Sequence, residues 1–384
     1  MVEVQDIFLN HGQEYCQKHR ISYVQSKAMS AIQSCRTAKM GGHMDVCDNC
    51  GHTQISYNSC RNRHCPKCQT LAKERWIDDQ KSNLLNIGYF HVVFTLPDDL
   101  NPVIYQNQKT MYTLLFRTVS ETLQELAADK KYLGATLGFT CVLHTWGQNL
   151  MFHPHIHCIV PAGGLNSLGQ WVHSRKKFFL PVKVLSRKFR GKFLAYLKST
   201  KLEFRGLQKY LQEDTPFQEL LNTCYNKDWV VYCKPPFKDA SCVVEYLGRY
   251  THRVAISNNR ILGLQNGQVS FKWRDYKVSK RNTSHDSNWK VMTVSAEEFI
   301  RRFLLHILPS GFMKIRHYGL LGNRNKTTKL KLCKQLTRTP LIPKEKASTL
   351  DLIRKILGRD ICRCPICGCD RLHPQMGLSP PAIA

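Results

Sequence analysis

The sequence predicts an α+β fold: a helical, cysteine-bearing N-terminal domain, then a domain in which helices flank a central antiparallel sheet. Three observations predict it. Two C-x2-C pairs sit between helix-like stretches in the first 85 residues. Further on, β-type and helical runs follow in the order β, α, β, β, as in an antiparallel α+β sheet and unlike a doubly wound one. The last two β runs, "LGFTCVLHTW" and "HIHCIVPAGG", are joined by a short polar piece containing glycine, which reads as a hairpin.

The elements follow in chain order. "YVQSKAMSAIQSCRTAKM" is rich in helix formers, and Gly41-Gly42 break it. The cysteine cluster runs from Cys47 to Cys68, and "QTLAKERWIDDQKSNLLNI" leads out of it as an amphipathic helix. "YFHVVFTLP" is a strand that stops at Pro97, and "TMYTLLFRTVSETLQELAAD" has helical spacing. After the hairpin, "SRKFRGKFLAYLKSTKLEFRGLQKYLQ" reads as one basic helical stretch that could contact a phosphate backbone. A short strand "DWVVYCK", the helix-like "ASCVVEYLGRYTH" and two strands within "RVAISNNRILGLQNGQVSFKWRD" follow, with turn signals at Asn258-Asn259 and Asn266-Gly267. Residues 323–346 read as a basic linker before a last cysteine cluster, "CRCPICGC". The expected domains are residues 1–85, 86–322 and 323–384.

Lys and Arg outnumber Asp and Glu by 56 to 28, a formal charge of +28 that concentrates polyanions and makes nucleic acid the leading partner class. No Walker A loop is present, which argues against an ATPase or helicase module. The N-terminus lacks a basic region followed by an apolar run, and no stretch has the ~20 apolar residues of a membrane span. The 17 cysteines, mostly in C-x2-C pairs, therefore point to zinc in a reducing compartment rather than to disulfides. No membrane partner is expected, and the location is expected to be cytoplasmic, at the nucleoid.

Cys47 and Cys50 are separated from Cys65 and Cys68 by 14 residues, a spacing that suits four thiolates around a structural Zn²⁺. Cys60 or His64 could replace one of these ligands. Arg61, Arg63 and Lys67 lie beside the cluster as candidate DNA contacts. At the other end, Cys364 and Cys367 make half a site. Cys362 and Cys369 could complete it only in a cramped loop, so a partner from elsewhere, or no metal, stays open.

On a strand, alternate side chains share a face, so His155 and His157 point the same way and Ile156 and Cys158 the other. A third ligand could come from the neighbouring strand, from His144 or Gln148. Such a site leaves positions open for water and a phosphate oxygen, as a catalytic Mg²⁺ or Mn²⁺ needs. Tyr246 and Tyr250 are four apart and share a helix face, with Arg249, His252 and Arg253 beside them. Paired tyrosines are commonly half-buried core residues. Beside a metal-polarised phosphate, however, a tyrosine hydroxyl is a nucleophile that conserves the phosphodiester bond energy without ATP.

"FTLP" at residues 94–97, "HPHIHCIVPAGG", "EYLGRYTHRVAISNNRI" and "LPSGFMKIRHYGLLGNR", in this order, resemble the bacterial rolling-circle transposases of the IS ninety-one type. These are two-tyrosine His-hydrophobe-His nucleases with a zinc-binding domain in front, which "SCRNRHCPKCQ" resembles. The resemblance implies a nuclease fold for the middle domain, His155 and His157 as the metal pair, and Tyr246 and Tyr250 as catalytic tyrosines. It leaves the third ligand between His144 and Gln148. It also implies single-stranded DNA cleavage through a 5′-phosphotyrosine, binding of single-stranded or hairpin element ends, and reliance on host replication machinery or a host helicase. A homodimer is left open. The rivals are a rolling-circle replication initiator with the same chemistry, a non-enzymatic zinc DNA-binding regulator, and an RNA-binding protein.

Overall fold

The structure is a computed structural model that describes residues 1–175, 179–234, 243, 248, 252, 254–275, 288–324, 326–341 and 347–381. The chain starts with helices α1 (Val4–Lys18) and α2 (Tyr23–Ser34). At the start of α2 the Ser22 side chain accepts from the Gln25 N–H while Gln25 reaches back, a reciprocal cap that fixes the helix entry. Strands β1 (Gly42–Cys47) and β2 (Thr53–Tyr57) form a hairpin. Helix α3 (Pro66–Lys81) then begins directly after Cys65, with Pro66 in its first turn, where the missing N–H costs nothing.

The central sheet is built from β3 (Tyr89–Thr95), β4 (Gly138–Trp146), β5 (Phe152–Pro161), β8 (Val231–Lys234) and β12 (Ile315–Gly319). Its order is β12-β4-β5-β3-β8 and every neighbouring pair is antiparallel. Between β3 and β4 run α4 (Asn101–Gln106) and α5 (Gln108–Ala128). Between β5 and β8 come the small ribbon β6 (Gly163–Leu165) and β7 (Trp171–His173), then α6 (Val182–Lys198) and α7 (Asp214–Asn226). Alternation decides what each face carries. Phe90, Val92, Phe94, Leu143, Ile156 and Cys158 are buried in one cluster with Leu115 and Phe116 of α5 and Phe189 and Phe193 of α6. Each such side chain contributes roughly 1.5–3 kcal/mol of burial. The opposite face carries His91, His144, His155 and His157, as the pairings His144↔His155 and His91↔Ile159 require.

The expected basic helix is shorter than the sequence pattern: α6 ends at Lys198, and residues Gly206–Gln212 form a separate 3-10 segment. The Thr200 hydroxyl caps the Tyr196 carbonyl, so a local side-chain bond competes with helix continuation. Part of the helix's charge is also taken up internally, since Lys188 and Lys192 pair with Glu125 of α5.

A second sheet holds β9 (Ile261–Gln265), β10 (Gln268–Arg274) and β11 (Trp289–Ser295), followed by α8 (Ala296–Leu304). The β9–β10 turn falls at Asn266-Gly267, both at positive φ, as the sequence signal requires. By contrast Asn258–Arg260 is a short 3-10 turn, and Val254 to Ile256 are buried outside any strand. Phe271, Phe299 and Phe303 share a core with Ile7, Phe8 and Ile32, so α1 and α2 rest on elements that come late in the chain. Phe8 and Phe303 meet edge to face at 5.2 Å.

Within the stretch read as a basic linker, Lys326–Leu336 forms helix α9, with Leu330 and Cys333, three apart, packed on Leu85, Leu165 and Leu320. Helix α10 (Thr349–Leu357) lies along α3, and β13 (Leu372–Leu378) joins β1 antiparallel. No helix among the described residues is long and apolar enough to cross a membrane.

Candidate active site and metal centres

His144, His155 and His157 each offer a ring nitrogen, and these atoms all lie within 4.8 Å of one another. Two adjacent antiparallel strands bring them together: His144 on β4 is the cross-strand partner of His155 on β5, and His157 follows two residues on. The pairing slips just after His144, before Trp146 meets Phe152, and such an irregularity re-aims side chains beside functional sites. His144 is stacked on Trp146 at 4.6 Å and almost fully buried, whereas His155 remains half-buried and reachable.

The outer hydrogen bonds orient the rings. His155 Nδ1 donates to the His153 carbonyl at 2.7 Å, which leaves Nε2 as its lone-pair nitrogen. That Nε2 faces His157 Nε2 at 3.1 Å. His157 Nδ1 is 2.8 Å from Nε2 of His91, a buried residue on β3. Burial, with Lys234 nearby, pushes the His91 pKa down to about 4, so it stays neutral and can accept from His157. Two lone-pair nitrogens at this separation, each backed by a bond on the far side of its ring, suit a divalent cation with open positions. His91 was missed in the sequence, although it stands in "YFHVVFTLP" two strands from His144; its partner, His157, becomes visible only through strand pairing. Gln148 lies in the turn after β4, where its carbonyl accepts from Arg260 at 2.6 Å.

Tyr246, Tyr250, Arg249 and Arg253 lie outside the described residues. Their described neighbours in sequence pack nearby: Val243 is buried against Tyr89 and Ile159, a Cβ on Gly248 would meet Ile77 of α3 at 2.3 Å, and the His252 ring faces Trp76. Burial, with Lys314 adding repulsion, pushes His252 down to about 4. Lys314 itself is pushed down to about 7 by burial and by Arg63.

The cysteines are grouped differently from the sequence expectation. Cys65 and Cys68 are not joined to Cys47 and Cys50; they meet Cys35 and Cys60, with the Cys68 Sγ 3.6 Å from each. A tetrahedral ZnS4 unit with ~2.3 Å bonds has edges of about 3.8 Å, so this donor set fits structural zinc. Cys65 caps the start of α3 and Cys68 lies in its first turn, where the helix dipole favours thiolates. Cys35 escaped notice, yet a signal exists: Ser34-Cys35-Arg36 and Ser59-Cys60-Arg61 are the same tripeptide, and Arg36 and Arg61 both take positive φ. Cys47 and Cys50 instead meet Cys364 and Cys367.

His64 stands apart from the thiols. Its Nε2 accepts from the Leu308 N–H at 3.4 Å, and burial drives its pKa well down. Of the candidate DNA contacts beside the cluster, Arg61 is exposed. Arg63 turns inward and donates to the Phe312 carbonyl, and Lys67 is held by Glu3 and Gln5.

Comparison with known proteins agrees with this architecture. A family model described as "Putative transposase" matches residues 138–329, and one described as "Transposase zinc-binding domain" matches residues 7–96. The chain is 48% identical over 375 residues to "Putative transposase y4qJ" of Sinorhizobium fredii (95% of this chain, 92% of that protein). It is 28% identical over 352 residues to "Transposase for insertion sequence element IS801" of Pseudomonas savastanoi pv. phaseolicola (90% of this chain, 82% of that protein). No solved structure matches the chain.

Proposed function

The chain belongs to the insertion-sequence transposases of the IS ninety-one type, and from that premise we propose that it cuts and rejoins single-stranded DNA at the ends of its element through a tyrosine-linked 5′-phosphate. One observation carries the reading: three histidines converge on one face of adjacent strands, with the Nε2 atoms of His155 and His157 apposed at 3.1 Å. A transposase needs a DNA-binding surface and a group that attacks phosphorus. The strongly basic composition and the zinc-binding region support the first.

His144, His155 and His157 would hold Mg²⁺ or Mn²⁺, with Gln148 as the alternate third ligand. When bound, the ion would supply Lewis acidity at a non-bridging oxygen of the scissile phosphate. Tyr246 or Tyr250 attacks phosphorus. The new bond to the phenolic oxygen forms as the bond to the 3′ oxygen breaks, and that oxygen leaves as a 3′-OH able to prime host replication. Arg249 and Arg253 offset the charge gathered on the phosphate. The second tyrosine allows a second transfer, at the other end or the target, before the first link is resolved. Support for this pairing of elements comes from Val243, three residues before Tyr246 and buried against Ile159, itself two residues from His157 on β5. Strand separation falls to a host helicase or replication complex.

The test is a gel of a single-stranded oligonucleotide bearing the element's end, labelled at its 3′ end so that the tyrosine-linked fragment carries the label, incubated with protein and Mn²⁺ or Mg²⁺. Wild type runs beside Tyr246→Phe, Tyr250→Phe and the double variant. Metal-dependent cutting with a covalent adduct that vanishes in the double variant is the expected result. Tight binding without cutting on every candidate end would leave a zinc-dependent DNA-binding protein and sink the nuclease reading.

A further inference from the structure

We propose that Cys47, Cys50, Cys364 and Cys367 form a second four-thiolate zinc site, so that residues 347–378 complete the N-terminal zinc-binding region from the far end of the sequence. The four sulfurs lie within 4.8 Å of one another, with Cys47 and Cys367 3.7 Å apart and Cys50 and Cys364 3.6 Å apart. These separations match the edges of about 3.8 Å of a tetrahedral ZnS4 unit. The pairs are 320 and 314 residues apart in sequence, and Cys364 and Cys367 lie outside both matched family segments.

Backbone geometry makes this a built site and not a chance approach of thiols. Both halves read C-x2-C-G. In each, the glycine N–H returns to the carbonyl of the first cysteine: Gly51 to Cys47 at 2.8 Å and Gly368 to Cys364 at 2.9 Å. Both glycines take the same left-handed conformation, φ 69° and 72°. Two copies of one ligand-presenting turn therefore face each other; in Cys65-x2-Cys68 the corresponding bond, from the Gln69 N–H to the Cys65 carbonyl at 3.2 Å, belongs to a helix start with no left-handed residue. Cys50 and Cys367 are exposed, which apolar packing alone does not explain for two thiols so close together.

The surrounding segment is docked along its length. Lys355 on α10 pairs with Glu74 of α3 at 2.8 Å, Arg75 donates to Thr349, and β13 extends the β1–β2 hairpin into a three-stranded sheet. The zinc-bearing hairpin is then a composite of two distant segments, and loss of the later cysteines should disable the earlier ones.

The full chain should hold two zinc ions after exhaustive dialysis, measured by atomic emission. Cys364→Ser with Cys367→Ser should lower the count to one, as should Cys47→Ser with Cys50→Ser. The four-fold variant should also hold one, because both pairs serve the same ion. Two ions in the Cys364/Cys367 variant, or none in the four-fold variant, would overturn the proposal. Cys369, 3.3 Å from Cys47, is left out of the ligand set, so Cys369→Ser should keep both ions; losing one would overturn this ligand assignment. Should a variant precipitate, the wild-type chain decides. Under graded chelation, N-ethylmaleimide should label Cys47, Cys50, Cys364 and Cys367 in one common step. Labelling of Cys364 and Cys367 at the outset, with Cys47 and Cys50 protected, would overturn it equally.

Discussion

The histidine hairpin and the cysteine clusters each gather side chains that could hold a metal, on opposite plans. His144, His155 and His157 sit on consecutive strands joined by a five-residue turn, and once the hairpin forms the three rings are already close. The Cys35–Cys68 cluster needs a helix end, an irregular segment and a helix start. The Cys47–Cys367 cluster needs nearly the whole chain between its halves to be folded. Closing a loop of some 315 residues costs about 2 kcal/mol more than closing one of some 25, by the logarithmic growth of loop entropy. Zinc affinity can offset that; a weakly held Mg²⁺ could not. Local construction would thus suit the proposed exchangeable catalytic ion, and long-range construction the proposed structural one.

If that contrast is right, the two sites fail differently. His155→Ala combined with His157→Ala should lower DNA cleavage by at least ~10³-fold, as expected when electrostatic stabilisation of a developing oxyanion is lost. Thermal unfolding and zinc content should stay near wild type, because the hairpin is held by backbone pairing and by the opposite, apolar face. Cys35→Ser should do the reverse, lowering the melting temperature and zinc content first and cleavage only as a consequence. Parallel melting curves, zinc counts and nicking assays check the pair. A histidine variant that unfolds, or a Cys35 variant that melts like wild type, would erase the distinction.

The same contrast explains what the sequence revealed. The alternation of "HIHC" against "LGFTCVLHTW" contains the local rule for the histidine face, so the hairpin and the shared face of His155 and His157 were legible, while the third position stayed open between His144 and Gln148. The C-x2-C spacing pointed to structural zinc but not to which thiols would share an ion, because equal spacing says nothing about tertiary partners. Cys65-x2-Cys68 at a helix start and Cys47-x2-Cys50 in a turn look alike until the glycine after Cys50 is weighed. His91 and α9 were invisible for related reasons. A lone strand histidine takes its role from a partner two strands of sequence away. The apolar stripe of α9 is only Leu330 and Cys333 within a run of lysines.

The seam between the two regions offers a sharper probe. Lys314 is enclosed with Arg63 and His64 from the zinc region and His306 and Leu308 from the sheet region, and its pKa falls from 10.5 to about 7. Since the folded value lies below the unfolded one, the unfolded chain binds the extra proton more readily between pH 7 and 10.5. The penalty is therefore complete below about pH 7 and fades as pH rises toward 10.5. Lys314→Met should stabilise the protein on the order of 2–4 kcal/mol at pH 6 and by progressively less toward pH 10. Urea midpoints across that range measure it. A gain independent of pH would mean that packing, and not charge burial, dominates the seam.

His91 tests whether the local site also depends on its surroundings. Removing a group that orients a ligand commonly lowers metal affinity by ~10–100-fold. His91→Ala should do so for Mn²⁺, read by the metal dependence of cleavage. His91→Gln, which keeps an acceptor for His157 Nδ1, should recover part of the loss. Equal defects in both variants would assign His91 to packing alone.

The smallest expected effect is the most specific to the long-range site. A methyl group added at Gly51 or Gly368 would meet no atom within 4 Å, so only the left-handed backbone would resist it. Alanine at either position should then cost roughly 1–2 kcal/mol through that conformation. Two residues 317 apart would weaken the same metal site to the same degree, because each closes the same turn behind a pair of thiolates. Competition with a chromophoric zinc chelator should show matched losses for Gly51→Ala and Gly368→Ala at one ion and none at the other. If Gly51→Ala weakened zinc and Gly368→Ala did not, the hairpin's ion would be held without Cys364 and Cys367. The contrast between a local and a long-range site would then lose its clearest case.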